Sequence, residues 1–335
     1  MGCKVLKTEN SGINALLLPG ASKTGLGNDS CRIGNMFRVK QTFQAMGTRC
    51  EIDCFASRPR TGQIAIDFMI AEVHRLEAKY SRYRETSFLS AINRAALTGE
   101  ALEVDAETAH LLDYATTCFE QSEGLFDISS GVLRKAWNFH EPSMPDSGVV
   151  AALLQRVGWQ RVQWLPPWLH FPAAGMELDL GGVVKEYAAD RLATVCREAG
   201  VEHALVNLGG DIRVVGPHPD GSPWSIGIQD PRKLGKALVT VNLYQGALAS
   251  SGDYERSIEL DGKRYSHVLN PKTGWPVSKL AAVSVLADFC VIAGSASTIG
   301  MLQDGAGKQW LEGLGLPYLW VDVDGCSGGP LLEVC

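Results

Sequence analysis

The stretch Glu177-Leu-Asp-Leu-Gly-Gly-Val-Val-Lys-Glu-Tyr-Ala-Ala-Asp-Arg-Leu192 sets the reading of the chain. It opens as a strand, stops at Gly181-Gly182 and passes straight into a helix. Backbone N–H groups at a helix N-terminus, with no Cβ atoms in the way, form an anion site. Lys185 in the first turn adds a charge that reaches a phosphate. The competing reading is a plain strand-to-helix turn with Lys185 in solvent, and this stretch alone leaves both open. Downstream, Leu205-Val-Asn-Leu-Gly-Gly-Asp211 repeats the theme, a strand ending in Gly-Gly-Asp within Ala204 to Val215.

Working outward, strands and helices cluster instead of alternating. Met36 to Phe55 reads as a strand pair broken at Met46-Gly47-Thr48, and Ile64 to Tyr80 carries a helical apolar stripe at 69, 73, 76 and 80. Further helices are expected after the polar segment from Ser81, over Glu107 to Ser122 and over Val149 to Val157. Phe126 to Gly131 reads as a turn, and Gln160 to Phe171 as a hairpin around Pro166-Pro167. Then come strands at 224–229, 238–243, 247–251, 257–260, 264–269 and 283–287, helices at 293–301 and 308–313, and a closing strand at 318–323. That clustering is the α+β pattern of mixed sheets with packed helices. One domain over residues 36–325 is expected, flanked by a Gly-, Ser- and Asn-rich tail over 1–35 and a short tail over 326–335.

Composition narrows the class. Of 335 residues, 45% are hydrophobic and 20% charged, ordinary for a globular protein. A net charge of −6 with a pI near 5.7 gives no electrostatic footprint for nucleic acid. No apolar run approaches the roughly 20 residues of a membrane span. Ala15-Leu-Leu-Leu18 is too short for the apolar region of a signal peptide, so a cytoplasmic location is expected, with a periplasmic one left open. Nine cysteines without C-x-x-C pairing fit reduced buried thiols better than disulfides or a zinc site.

The second informative stretch is Tyr265-Ser-His-Val-Leu-Asn-Pro-Lys-Thr-Gly-Trp-Pro-Val277. His267 lies between a strand-like run and a sharp turn, close in sequence to the hydroxyl-rich turn Ser250-Ser-Gly-Asp253. A histidine held at a strand end beside hydroxyls can accept a proton at neutral pH. It can equally do no more than hydrogen-bond its own turn. Neither Gly-Gly turn matches a Walker A loop or a G-x-G-x-x-G fingerprint, which disfavours P-loop and Rossmann enzymes. Asp179, Asp211 and Asp253 each border a turn. They either cap local backbone or line a polar pocket for a phosphorylated ligand, with ribose hydroxyls on the carboxylates.

Taken in order, these segments resemble the ApbE family of FAD:protein FMN transferases. The resemblance is carried by Met46-Gly-Thr48; Ser81-Arg-Tyr-Arg84 with Ser87 and Asn93; and Phe126-Asp-Ile128 with Gly131, Leu133 and Trp137. It continues through Asp179-Leu-Gly-Gly-Val-Val-Lys185 with Tyr187-Ala-Ala-Asp190, Asn207-Leu-Gly-Gly-Asp211, Ser251-Gly-Asp-Tyr254 and the His267-Val-Leu-Asn-Pro-Lys-Thr-Gly274 turn. It covers about residues 40–325. It implies an α+β fold that binds FAD in a cleft, moves FMN onto a threonine of an acceptor flavoprotein and releases AMP. On this resemblance His267 is the general base. Met46, Tyr83, Leu125, Phe126 and Asp127 line the flavin and adenine sites. Asp179, Gly181, Lys185, Asp211, Ser251, Asp253, Leu269 and Thr273 complete the FAD site. Mg2+ across the pyrophosphate would draw on the Gly182 carbonyl, Ser297 and Thr298.

Two departures stand out. Where the family usually shows Ala-Asp-x-x-x-Thr, this chain has Ala293-Gly-Ser-Ala-Ser-Thr298, so Gly294 replaces a carboxylate that holds magnesium. Weak metal binding until FAD arrives is the expectation, and Gly294→Asp is expected to lower the Mg2+ requirement. Val184-Lys185-Glu186 stands where Ala-Lys-Gly is commoner, a change expected to be tolerated. Three readings follow: the transferase, an FAD pyrophosphatase in which water replaces the threonine, and a flavin-binding protein without turnover. Tyr83 speaks for transfer, since some hydrolysing relatives carry Asn there and a ring shields phosphorus from water. His267 speaks against the third reading.

Overall fold

The computed structural model describes residues 32–333 except 140, 142, 173, 234 and 255. The tail expected over 1–35 therefore falls, up to residue 31, outside the described residues. β1 (Arg32–Ile33), β2 (Met36–Ala45) and β3 (Thr48–Ala56) form an antiparallel ladder turning at Met46-Gly47. α1 (Pro59–Tyr80) starts on a proline, whose missing N–H costs nothing there, and buries one stripe through Ile66, Met69, Val73 and Leu76. α2 (Phe88–Thr98) is capped by the Ser87 hydroxyl and stopped by left-handed Gly99. β4 (Leu102–Glu103) leads into α3 (Ala106–Gln121), capped by Asp105, and α4 (Ser147–Leu154) is capped by Asp146. The expected hairpin is β5 (Gln163–Leu165) and β6 (Trp168–His170), with β4 alongside.

Next come α5 (Val184–Glu198), β7 (His203–Leu208) and β8 (Asp211–Gly216), then β9 (Trp224–Gln229) and β10 (Ala237–Leu243). β11 (Gly246–Gly252), β12 (Ser257–Leu260), β13 (Lys263–Ser266) and β14 (Leu280–Ala287) precede α6 (Cys290–Leu302) and α7 (Gly307–Gly313). β15 (Tyr318–Asp322), β16 (Ser327–Gly328) and a 3-10 turn at Pro330–Leu332 follow. Nine strands make one antiparallel sheet in the order β1-β2-β3-β7-β8-β11-β14-β15-β16. Alternation along each strand sends residues to two different cores. Val206, Ala247, Ala249 and Val283 join the helices, while Leu205, Val214, Leu248 and Leu286 meet the β9–β10 ribbon. The architecture is α+β, as expected.

Three local expectations change. Residues 177–180 are not a strand: the Leu178 N–H and C=O are both bonded to the Asn93 side chain, at 2.7 and 2.9 Å, and no ladder partner can use them. The segment after Phe126-Asp127 is a 3-10 helix over Ile128–Lys135. The layer also runs past residue 325, because β16 pairs with β15 and Leu331 is fully buried with the ribbon core.

Candidate active site

The turn after β13 is built by its own residues. The Asn270 carboxamide oxygen accepts from the Lys272 N–H at 2.9 Å, and its backbone C=O from the Gly274 N–H at 2.8 Å. Gly274 sits at φ +74°, and a Cβ there would meet Val150 at 2.5 Å, so only glycine closes this turn. The indole N–H of Trp137 donates to the Gly274 carbonyl at 2.9 Å and pins the turn from outside. His267, one step beyond β13, is half-buried. Its backbone N–H donates to the Arg256 carbonyl at 3.0 Å, and its Nδ1 lies 3.1 Å from the same oxygen. A carbonyl only accepts, so Nδ1 carries the hydrogen and Nε2 presents its lone pair. Burial lowers the His267 pKa below its ordinary value of 6.5, with the cations Arg256, Lys185 and Arg82 adding to the shift and the Arg256 carbonyl opposing it. The imidazole is therefore neutral at pH 7.

The Asp179 turn holds one of these cations, Arg82. Asp179 accepts the Gly181 N–H at 2.9 Å and forms an ion pair with Arg82. Arg82 also donates to the Tyr83 hydroxyl at 2.8 Å and lies 4.9 Å from the centre of that ring. The Tyr83 ring is 76% exposed, a large aromatic surface held out beside the turn. Burial works against ionisation of its phenol, but Arg82 and Arg256 outweigh it and lower the pKa. Gly181 and Gly182 are exposed, and no side chain caps α5 behind them. An open helix N-terminus with a lysine in its first turn is an anion-binding arrangement.

Behind this turn α5 and α6 pack closely. Asp190 on α5 accepts the Cys290 and Val291 N–H groups, each at 2.9 Å, and so caps α6 from its neighbour. Arg213 pairs with the same carboxylate at 3.0 Å. Lys185 pairs with Asp211 at 2.9 Å. The Ser251 hydroxyl on β11 lies 2.9 Å from both Ser297 and Thr298 on α6. Glu186 is 6% exposed, and its Oε2 has no hydrogen-bond partner. Burial first, and then the neighbouring charge of Asp211, push its pKa up to about 8 against the pull of Lys185. A Cβ on Gly294 would fall 2.4 Å from the Glu186 Cγ. A carboxylate at position 294 would therefore require Glu186 to move.

The remaining expected residues divide. The Met46 N–H donates to Glu77 at 2.7 Å, which fixes the corner between β2 and β3. Leu125 and Phe126 are buried, and the Phe126 ring lies against Gly182. Asp127 is turned inward. It accepts from the Ser129 N–H and hydroxyl and from the Trp159 N–H, so its carboxylate closes a turn. Asp253 is 4% exposed and held by Arg232 at 2.6 and 2.8 Å, so its carboxylate too is committed within the protein. Leu269 packs against Val132, Leu133 and Leu153 and bridges Pro276. Thr273 is exposed, and its hydroxyl accepts the Trp275 N–H at 3.2 Å. Sequence reasoning assigned no role to Arg82, Arg256 or Glu186. Arg82 lies inside the quoted Ser81-Arg-Tyr-Arg segment, but only the fold reveals its contact with Asp179, 97 positions away.

A surface groove of about 450 Å3 between α1 and α5, lined by Phe68, Glu72, Arg75 and Val195, lies elsewhere. Its Glu72–Arg75–Glu107 ion pairs satisfy one another, and it carries none of the expected site residues. No group of three or more His, Cys, Asp or Glu side chains is arranged for a metal among the described residues. What the site does offer is oxygen: the unpaired Glu186 Oε2, Asp211 beside it, and the Ser251, Ser297 and Thr298 hydroxyls. Such a set suits a hard cation that keeps part of its coordination for phosphate and water.

The ApbE family model matches residues 46–320. The chain is 31% identical over 268 residues to the FAD:protein FMN transferase of Rhodobacter capsulatus, covering 78% of this chain but half the length of that protein. It is 29% identical over 318 residues to the FAD:protein FMN transferase of Treponema pallidum, covering 85% and 87% of the two chains. Among solved structures, the ApbE protein of Thermotoga maritima superposes with a TM-score of 0.79 at 31% identity, over 87% of this chain and 96% of that one. The flavin transferase ApbE of Vibrio cholerae superposes with a TM-score of 0.77 at 25% identity, over 88% and 97%. The family match spans the His267 turn, the open α5 terminus and most of the sheet that carries both, and this chain belongs to the ApbE family.

Proposed function

We propose that this chain is an FAD:protein FMN transferase that moves FMN from FAD onto a threonine of an acceptor flavoprotein. One observation carries the reading. A neutral histidine, oriented by the Arg256 carbonyl with Nε2 bare, stands among Arg82, Arg256 and Lys185 beside an uncapped helix N-terminus. The threonine hydroxyl gives its proton to His267 Nε2. Its oxygen bonds to the FMN phosphorus, and the P–O bond to the AMP half breaks, so AMP leaves with the bridging oxygen. Little covalent chemistry is asked of the protein here. Positioning and charge neutralisation dominate such transfers.

The Gly181-Gly182 amides and Lys185 would neutralise diphosphate charge, and Asp179 would anchor the ligand through the turn it organises. The Tyr83 ring, projecting beside Arg82, offers a stacking surface and shields phosphorus from water. Met46 and Phe126, packed at neighbouring corners, would border the flavin and adenine halves. Asp211, Ser251, Asp253, Leu269 and Thr273 would shape the pocket chiefly through the turns they hold. Mg2+, held by Ser297, Thr298, the Gly182 carbonyl and FAD's own oxygens, would stabilise charge on the departing AMP. No helix among the described residues is long and apolar enough to cross a membrane. The buried free thiols of Cys50, Cys54, Cys118, Cys196 and Cys290 fit a reducing compartment such as the cytoplasm.

Co-expression with candidate acceptor flavoproteins, read by in-gel flavin fluorescence, tests the proposal. A fluorescent band that disappears when the acceptor threonine becomes valine supports it. Free FMN and AMP without a labelled acceptor would favour the pyrophosphatase, and intact bound FAD the binding protein.

A further inference from the structure

We propose that Glu186 is the anionic ligand of the divalent-cation site, supplying from α5 the carboxylate that position 294 on α6 lacks. The proposal rests on the reading of the chain as a Mg2+-assisted transferase, and it assigns a residue that reading left out. Glu186 is 6% exposed, and its Oε2 has no hydrogen-bond partner. An ionised carboxylate persists in such a place only against a cation. A second carboxylate, that of Asp211, stands beside it and pairs with Lys185 at 2.9 Å. The hydroxyl oxygens lie on the same side. Ser297 donates to the Gly294 carbonyl at 2.9 Å, and Ser251 joins Ser297 to Thr298. Glu186 is packed on Gly294 itself, where a Cβ would fall 2.4 Å from its Cγ and 3.1 Å from its Oε1. Any side chain at 294 would displace Glu186, so the two helices can offer a carboxylate to this place one at a time, never together. An all-oxygen donor set selects Mg2+ or Mn2+ over softer metals.

Mn2+ is the probe. Its affinity is measured by electron paramagnetic resonance, with and without FAD, and its effect on the melting temperature is measured in the same samples. Wild type is compared with Glu186→Gln, with Gly294→Asp and with the double variant Glu186→Gly/Gly294→Asp. The expected result is a loss of at least about tenfold in Mn2+ affinity for Glu186→Gln, the scale on which altered metal surroundings act. In that variant the Mn2+-induced rise in melting temperature also disappears, while the chelator-treated protein melts no lower than wild type. The double variant recovers affinity to within a few-fold, and Gly294→Asp alone gains nothing. Wild-type affinity in Glu186→Gln, no recovery in a folded double variant, or no Mn2+ binding by wild type in either condition would overturn the assignment. FMN transfer by wild type, measured separately, decides the parent reading. Transfer with unchanged affinity in Glu186→Gln sinks Glu186 alone, whereas Glu186-dependent binding without transfer sinks the transferase and leaves the site.

Discussion

The two faces of the nine-stranded sheet do different jobs. Under the β9–β10 ribbon, Phe55, Leu205, Val214 and Leu248 meet Trp224, Ile226, Val241 and Leu243 in an apolar core. On the helix side the same strands turn Asp211, Arg213 and Ser251 inward, toward Glu186, Asp190 and the α6 hydroxyls. Small residues, Ala247 and Ala249 on β11 and Ala293, Gly294 and Ala296 on α6, let that helix lie close enough to bring the hydroxyls together. One face is built to be stable. The other buries ionisable groups, among them Glu186, whose Oε2 has no hydrogen-bond partner, a cost the first face must offset.

Substitutions on each face can break or sharpen this division. His267→Ala should lower transfer by about 10^2 to 10^4-fold, the usual worth of a general base, with flavin affinity changed by no more than a few-fold. A collapse of flavin binding, read by fluorescence titration, would make the residue structural. Leu243→Ala, fully buried under the ribbon, should cost about 2–5 kcal/mol in urea unfolding. Transfer per folded molecule should stay at the wild-type level, and a parallel loss would show that the faces are not separable.

The pH dependence is a smaller effect with a definite sign. Protonated His267 is disfavoured in the fold, so the base is intact above pH 6.5 and is lost only as pH falls below it. The acidic limb of kcat/KM should lie below 6.5, and Arg256→Gln, which removes a nearby cation, should move it upward. A limb above 6.5 in wild type would contradict the assigned environment. Trp137→Phe is the mildest change. It removes one hydrogen bond to the Gly274 carbonyl, and about 1 kcal/mol of stability should go with it, together with a modest rise in KM for FAD.

Much of this was legible in the chain. Periodicity placed α1 and α3, and glycine corners placed the β2–β3 and β7–β8 turns, because those signals are local. The His267 turn could be read because Asn270 and Gly274 have one conformational use there. Residues 177–180 misled, since the Leu178 backbone is bonded to Asn93, 85 positions away. The partners of Asp127 and Asp253, Trp159 and Arg232, lie across the fold, where no local signal reaches. The two motif departures, Glu186 and Gly294, looked independent because the contact between α5 and α6 is invisible along the chain.

The most direct test is the intact mass of an acceptor flavoprotein after incubation with this protein, FAD and Mg2+, with AMP quantified in the same tube. The account predicts a mass gain of one FMN per acceptor and one AMP released for each, with neither produced by His267→Ala. An acceptor of unchanged mass, alongside AMP and free FMN or alongside intact FAD, would contradict it.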